Sequence, residues 1–577
     1  MIKKILYAVC IGLPFIGISQ VTFTNSNSAL VNSSLTSGVA IGVSDMNADG
    51  LDDIIRLDDA RNLQIEYQNS NGIFTRYNYG SIGGSQWGLC IADVDDNGFN
   101  DVLAGGSYNN LKLITASNDG TTFSSTNLSG PSIFVQNLNF ADIDNNGTID
   151  IFACHDDGVS SAYSNDGSGA MTYDLGLINA VSTVPSDNSG NYGTIWVDYD
   201  NDGDQDLYIS KCRLGVNDAN DGRRLNLLFQ NDGSGNYTDV GVAAGLVPRG
   251  QSWSANFEDI DNDGDFDCFL INHDITSMIY ENNGNGTFTD ITSTSGISST
   301  LSAMGSGGIQ VVMEDFDNDT FVDIFVTARS GSHHLFKNNG DKSFTEVTSP
   351  FTLPSGPARI QSAAVGDLNN DGFLDVVAGF ATGYNSPSNN PDVLYLNDGN
   401  SNNWSEITLK GGPSNSNGIG ARIEIYGDWG TQIREVRSGE SYGTMNSLMT
   451  HFGLASHTAI TKIIVKWPSG IVDELLSPAI NQSNTIIEGA TLATEVFEVP
   501  NFYVYPNPTK GEITVSNIEN INNTALSVFD INGKKINIIS TAYTSEIKFN
   551  IAHLNSGIYF IHLKSRNKTY VHKVIKD

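Results

Sequence analysis

Positive charge is what this sequence lacks most. Lys and Arg number 30 against 65 Asp and Glu in 577 residues, for a formal net charge of -35. A surface of that sign repels phosphate backbones and anionic headgroups, which excludes nucleic acid and acidic membrane as partners. Cysteine is scarce: Cys10, Cys90, Cys154, Cys212 and Cys268 include no Cys-x-x-Cys pair and no zinc spacing. The last four are either small buried strand residues or members of one or two disulfides. Beyond residue 18 no apolar run approaches the ~20 residues of a spanning helix, so no transmembrane segment is expected. Gly, in contrast, reaches 59, and Asn, Ser and Thr are frequent. That is the composition of a turn-rich, strand-rich chain.

At the N-terminus, Lys3 and Lys4 precede a short, largely apolar run from Ile5 to Ile18. This reads as a secretory signal peptide over residues 1–19. A lipoprotein site at Cys10 is disfavoured because Val9 stands where a small residue is preferred.

An internal repeat organises most of the remaining chain. The pattern Asp-x-(Asp/Asn)-x-(Asp/Asn)-x-x-x-Asp starts at Asp45, Asp93, Asp142, Asp198, Asp259, Asp315 and Asp367, at intervals of 48 to 61 residues. An apolar stretch precedes each copy, as in Thr194-Ile195-Trp196-Val197, and another comes after it, as in Ile324-Phe325-Val326. A third ends in a turn such as Asn339-Gly340, and a fourth succeeds it, such as Phe344-Thr345-Glu346-Val347. Four short strands per unit of about 50 residues is the period of a propeller blade. The prediction is an all-β chain with a seven-bladed β-propeller over residues 20–398. The last blade has no fourth strand of its own. The segment 21–24 resembles the fourth strands elsewhere and is expected to close the ring, the competing segment being Trp404 to Leu409.

The loops carry the clearest chemistry. Their candidate metal ligands are Asp45, Asn47, Asp49 and Asp53 in the first, and Asp93, Asp95, Asn97 and Asp101 in the second. The third and fourth offer Asp142, Asp144, Asn146 and Asp150, then Asp198, Asp200, Asp202 and Asp206. The fifth and sixth offer Asp259, Asp261, Asp263 and Asp267, then Asp315, Asp317, Asp319 and Asp323. The seventh has Asp367, Asn369, Asp371 and Asp375. Oxygen ligands at positions 1, 3, 5 and 9, with a backbone carbonyl at 7, suit calcium. Position six is Gly in six loops and Thr320 in the other. Gly permits the left-handed turn such a loop needs. Together the loops hold 28 Asp, whose mutual repulsion calls for a cation. Up to seven Ca2+ ions, mainly structural, are expected. The Asp315 loop, with Thr320, and the Asp142 and Asp367 loops, with three carboxylates each, are expected to bind less tightly.

These repeats resemble the FG-GAP (VCBS-type) repeats of integrin-alpha-like propellers, over roughly residues 38–398. In residues 399–490 the repeat stops. Asn417-Gly418-Ile419-Gly420-Ala421-Arg422, Arg434-Glu435-Val436-Arg437-Ser438-Gly439, His451-Phe452-Gly453-Leu454 and Trp467-Pro468-Ser469-Gly470 occur in order. Together they resemble the ASPIC/UnbV domain of cartilage acidic protein-like proteins and of many bacterial exported proteins. A small β domain is expected there. Its Arg422, Arg434, Glu435, Arg437, Glu440 and His451 are read as strand-face charge pairs and a structural His, against the alternative of an active site.

Residues 500–577 carry nine basic and five acidic residues, with a hairpin turn expected at Asn532-Gly533. Tyr505-Pro506-Asn507-Pro508, Asp530-Ile531-Asn532-Gly533-Lys534, Leu554-Asn555-Ser556-Gly557 and the terminal Lys573-Val574-Ile575-Lys576 resemble the C-terminal sorting domain of type IX secretion substrates. The resemblance implies an Ig-like β-sandwich, a Bacteroidetes-type bacterium, the type IX machinery as partner, a secreted or cell-surface location, and removal of the tail.

Aligning the repeats by offset brings Trp87, Tyr192 and Trp253 together with His155, Lys211, Arg213, His273 and Arg329 on the face away from the loops. Aromatics and cations there suit a carbohydrate or acidic ligand, against the alternative of ordinary channel-lining residues. No catalytic constellation is identified. The leading function is extracellular binding or adhesion, to polysaccharide or a surface protein. The alternatives are a calcium-dependent, lyase-like polysaccharide-degrading enzyme and a scaffold for the ASPIC/UnbV domain. A lyase needs a Lys, Arg, His or Tyr base beside an exposed calcium; Lys211 is the only Lys in the aligned set, so the sequence offers little for one.

Overall fold

In a computed structural model of the chain, the described residues are 21–69, 72–182, 187–355, 359–383, 386–490, 503–516, 524–530, 534–536, 538, 540–542, 546–565 and 568–577. The expected signal peptide and the Asn532-Gly533 turn lie outside them. Strands make up 47% and helices 3% of the chain, so the structure is all-β.

The apolar run before each aspartate motif forms a strand that is buried at nearly every position, as in Gln86–Ala92, Val135–Ala141 and Ser252–Glu258. Burial on both faces is why these runs are continuous rather than alternating. The fourth strands are different: in Phe288–Asp290 and Phe344–Glu346 only the aromatic is buried. Each repeat folds into one four-stranded antiparallel sheet, and there are seven such sheets in residues 21–397. Their first strands are Ile41–Ser44, Gln86–Ala92, Val135–Ala141, Asn191–Val197, Ser252–Glu258, Gly308–Glu314 and Ser362–Gly366. Each touches the next in chain order, and the last touches the first, so the sheets close a ring around a central channel.

The seventh sheet takes its outer strand from the other end of the chain. Phe23–Asn25 pairs antiparallel with Val393–Asn397, Phe23 opposite Asn397. The Thr22 and Thr24 hydroxyls donate to the Asp398 carboxylate at 2.7 and 2.6 Å, and Phe23 stacks on Phe351 at 4.5 Å. Trp404 to Leu409 falls instead in Asn403–Lys410, which pairs with Thr450–Ala455 and, in parallel, with Ser483–Ile487. A second sheet, Gly430–Glu435, Arg422–Gly427, Lys462–Lys466 and Val472–Leu476, completes this second module. One hydrophobic cluster joins Ile407, Ile423, Phe452 and Val465 of the module to Cys90, Leu103 and Ile151 of the ring. All four cysteines of the described residues are buried and free.

The channel is not open. Residues 437–447 of the second module run down it and contact the first strand of every sheet. Met445 exchanges backbone bonds with the first sheet, Val43 N to Met445 O at 2.9 Å and Met445 N to Ile41 O at 3.2 Å. Ser438 Oγ donates to Ile91 O at 2.6 Å, Phe140 N to Ser438 O at 3.1 Å, and Arg437 Nη1 to Phe257 O at 2.7 Å. Val311 N donates to Ser441 Oγ at 3.0 Å and Ser447 N to Val365 O at 2.9 Å. The Ser441 carbonyl packs so close to Gly193 that a Cβ there would lie 2.4 Å from it. Small residues make the passage possible: a Cβ on Gly439, at φ +82°, would lie 2.1 Å from Leu138 O.

Residues 493–577 form a separate compact unit. It holds two four-stranded sheets around Val504, Ile513, Val515, Val528, Ile547, Phe549, Ile561, Leu563 and Val574.

The plug generates a prediction. Gly439→Ala combines a left-handed backbone with a backbone clash, so it should destabilise the ring unit by about 2 kcal/mol or more. A urea denaturation midpoint unchanged from wild type would contradict the plug.

Candidate functional site

Every aspartate loop joins the first strand of its sheet to the second, so all seven lie at one end of the ring. Their geometry repeats. The position-one carboxylate accepts from the backbone N–H groups at positions five and six: Asp93 takes Asn97 N at 3.1 Å and Gly98 N at 2.8 Å. The position-nine carboxylate opens the second strand and uses both oxygens on backbone. Asp101 accepts Val94 N at 3.0 Å and Ala116 N at 2.7 Å, tying the loop to the third strand. Asp53, Asp150, Asp206, Asp267, Asp323 and Asp375 make the same pair. Position four is left-handed in all seven loops, as is position six, including Thr320 at φ +88°. A β-branched residue is strained there, so the sixth loop keeps the shared backbone against its own preference.

This backbone converges the carboxylates. Oxygens of Asp93, Asp95 and Asp101 lie within 4.8 Å of one another, as do those of the triples Asp142–Asp144–Asp150, Asp198–Asp200–Asp206, Asp259–Asp261–Asp263 and Asp315–Asp317–Asp323. In the first and seventh loops position three is an amide. Asn47 Nδ2 donates to Asp49 at 3.0 Å and Asn369 Nδ2 to Asp371 at 2.9 Å, so an N–H partly neutralises each. Buried oxygens of Asp95, Asp200 and Asp317, all at position three, have no hydrogen-bond partner among the described residues. A hard cation would engage such oxygens, and the all-oxygen donor set fits calcium.

Burial sets the protonation of these groups. Desolvation pushes Asp142 and Asp367 up to about 6, Asp150, Asp198 and Asp259 to about 7, and Asp101 to about 8. Two lysines add charge from outside. Lys337 Nζ pairs with Asp317 and Asp319 of the sixth loop, and Lys342 Nζ pairs with Asp261 of the fifth and with Glu281.

The second module sits on this end of the ring. Asp93 N donates to Asn417 Oδ1 at 2.7 Å, and Asp198 N to Glu435 Oε2 at 3.1 Å. Arg422 Nη2 donates to Gly264 O at 2.7 Å, and Ala455 N to Asn318 O at 2.7 Å. His451 Nε2 meets Asn318 Oδ1 at 2.7 Å; burial holds His451 near a pKa of about 3, so it is neutral. Arg437 Nη1 pairs with Glu258 at 2.7 Å, and Asn256 Nδ2 donates to Glu440 at 3.2 Å. Among the residues read as strand-face pairs of an independent domain, Arg422, Glu435, Arg437, Glu440 and His451 therefore dock that domain on the ring. Sequence offsets within one module could not show a partner hundreds of residues away.

On the opposite end, three of the eight expected ligand contacts are corrected. Trp87, Trp253 and Lys211 are 1%, 2% and 1% exposed. Trp87 packs edge-on to Phe134, and Trp253 packs against Tyr192 and His273. Lys211 Nζ donates to Ser189 O at 2.9 Å and Asn191 Oδ1 at 2.6 Å, so it serves as an internal tie and is no base beside a metal. The other five are half-buried around the mouth. Arg213 pairs with Asp156 at 3.0 Å and Asp157 at 2.8 Å, and His273 Nε2 donates to Gly308 O at 2.7 Å. Arg329 lies 5.9 Å from the Trp253 ring, and His155 Nδ1 accepts from Phe134 N at 3.1 Å. The offsets located the correct end of each strand but not which side chains turn inward.

Sequence offsets also missed Tyr442. Its ring lies 5.4 Å from Trp253 and its hydroxyl donates to Gln136 at 2.9 Å, which fills the mouth from inside. A signal was present: Gly439-Glu440-Ser441-Tyr442-Gly443 is a Gly-x-Ser-x-Gly string. Ser441, at φ +53° and fully buried, resembles a nucleophile elbow only in pattern. Its hydroxyl accepts the Val311 N–H of the sixth sheet at 3.0 Å, and the string is a turn within the plug.

Comparison with known proteins agrees with this division. The FG-GAP-like repeat family matches residues 93–153, 259–326 and 315–378, ASPIC and UnbV matches 411–493, and the secretion system C-terminal sorting domain matches 503–577. The chain is homologous to cartilage acidic protein 1: 28% identical to the mouse protein over 280 residues, 46% of this chain and 41% of that one. The human protein is 28% identical over 262 residues, 42% and 37% of the two chains. The chain thus spans about two fifths of the length of these relatives. Similar solved structures include an Agrocybe aegerita lectin described as recognising non-reducing terminal N-acetylglucosamine, 17% identical over 56% of this chain and 83% of its own, TM-score 0.38. Another is Saccharomyces cerevisiae Sqt1, 10% identical over 66% and 99%, TM-score 0.38. The sorting domain indicates export by type IX secretion to a secreted or cell-surface location, and no described helix is long and apolar enough to cross a membrane.

The raised carboxyl pKa values carry a sign. In chelator the folded ring binds more protons than the unfolded chain. Their stabilising contribution is therefore complete below about pH 4 and is lost as pH rises through 6 to 8. Urea unfolding in EGTA should give a lower midpoint at pH 8 than at pH 5. A higher midpoint at pH 8 would contradict the burial of these carboxylates.

Proposed function

We propose that the protein is an exported, calcium-stabilised binding module, with an extracellular polysaccharide or surface protein as its ligand. The observation that supports this reading is the convergence of buried, partly unpaired carboxylate oxygens at one end of a closed ring. Ions at these loops would pin the hairpins and the docked second module, holding the opposite mouth as a rigid platform. Asp45, Asp93, Asp142, Asp198, Asp259, Asp315 and Asp367, with the position-three, -five and -nine oxygens of each loop, would hold them.

Around the opposite mouth Tyr192, His155, Arg213, His273 and Arg329 remain half-buried and able to meet a ligand. The matched families are repeat, ASPIC and UnbV, and sorting segments, and none is catalytic. The sorting tail is an address, removed once export is complete.

The test incubates the full chain in calcium with acidic and neutral polysaccharides and with outer-surface protein fractions, with an EGTA control, and reads bound protein and released sugar together. Calcium-dependent binding without release is the expected result, weakened about tenfold or more by Arg213→Ala with Arg329→Ala. Release of sugar would replace this reading with the enzymatic one.

A further inference from the structure

A cavity of about 510 Å³ opens where the second module meets the first two aspartate loops. It lies at a module junction and within the size range of small-molecule sites. Asp45 and Asp49 of the first loop and Asp93 of the second line one side. The other side comes from the parallel strands Asn403–Lys410 and Ser483–Ile487, in which Thr408 stands opposite Thr485. Period-two alternation puts Thr408 and Lys410 of one strand, and Ser483 and Thr485 of the other, on the cavity side, while Ile407 and Ile486 turn into the core. Leu448 and Met449 supply an apolar patch.

The wall is rich in hydrogen-bonding groups of both kinds. Carboxylates accept, an ammonium donates, and hydroxyls do either. The Thr408 and Ser483 hydroxyls lie 3.1 Å apart, Asp49 and Lys410 are exposed, and no ion pair engages Lys410 among the described residues. A ligand here must therefore offer both donors and acceptors, with an apolar face for Met449. Charge narrows the class further. The acidic side outnumbers the single ammonium, and the whole chain is at -35, so an anion is repelled even where a divalent ion offsets part of a loop.

We propose that this cavity binds a neutral saccharide, its hydroxyls donating to Asp49 and accepting from Lys410, Thr408 and Thr485, and one ring face lying on Met449. The proposal rests on the reading of the protein as a binding module and gives that module a site apart from the opposite mouth.

The experiment titrates the full chain in calcium with laminaritriose, mannotriose, chitotriose and trigalacturonate by calorimetry. Lys410→Ala and Thr485→Val are tested beside Arg213→Ala/Arg329→Ala. Lys410 is exposed and Thr485 borders the cavity, so the first variant should fold as wild type, which its melting curve checks. The expected result is binding of at least one neutral trisaccharide but not of trigalacturonate, weakened about tenfold by Lys410→Ala or Thr485→Val and unchanged by the arginine pair. Binding of trigalacturonate alone, of no trisaccharide, or of a neutral one lost only in the arginine pair would overturn the cavity assignment. The last of these leaves the binding-module reading standing, whereas absence of any polysaccharide or protein ligand removes both.

Discussion

A buried carboxylate without a counter-charge costs several kcal/mol, and this ring buries one at position nine of every repeat. That carboxylate cannot be dispensed with, because its two oxygens are what join the loop to the third strand. The cost falls as backbone N–H groups gather round it, and a cation would lower it further. Position one repeats the device on the other side of the loop, and in the second, fourth and sixth loops position three leaves an oxygen unspent. On the proposed reading, folding of the ring and filling of the loops are one problem, because the geometry that closes each hairpin also brings together carboxylate oxygens that could hold a hard cation.

The second dependence is of the two modules on each other. The aspartate loops present backbone groups and amides at their outer positions, and the second module takes them up through Asn417, Glu435, Arg422 and His451. Its 437–447 segment then crosses the channel and meets all seven first strands. A propeller closed only by its terminal strand can open at that seam. A segment hydrogen-bonded to six of the sheets and packed against Gly193 of the fourth opposes opening at any of them. The module thus acts as a keystone and also supplies one wall of the junction cavity.

Much of the ring was legible because its determinants are local. Asp45 and Asp53, or Asp198 and Asp206, sit within nine residues, and the apolar runs on either side state their burial directly. The outer strand at Phe23 was legible because the seventh repeat visibly lacked one. The docking was not legible, since Glu435 meets Asp198 and Asn417 meets Asp93 across hundreds of residues, and no local pattern encodes such a meeting. Trp87, Trp253 and Lys211 misled for a different reason. Offset from a motif locates the end of a strand, whereas the burial of a side chain depends on what packs over it: Tyr442, from another module, joins the cluster round Trp87 and Trp253, and the segment before Asn191 encloses Lys211. Lys410 escaped notice because only the parallel pairing with Ser483–Ile487 gives its face a cavity to look into.

The central claim, that cation-filled aspartate loops hold the ring, is tested most directly by thermal unfolding of the full chain at pH 7.5 across a calcium titration. Seven loops binding only in the folded state should raise the ring's unfolding temperature by about 10 °C or more between EGTA and millimolar calcium, with the shift growing as calcium rises. An unfolding temperature that is the same in EGTA and in calcium would contradict the account.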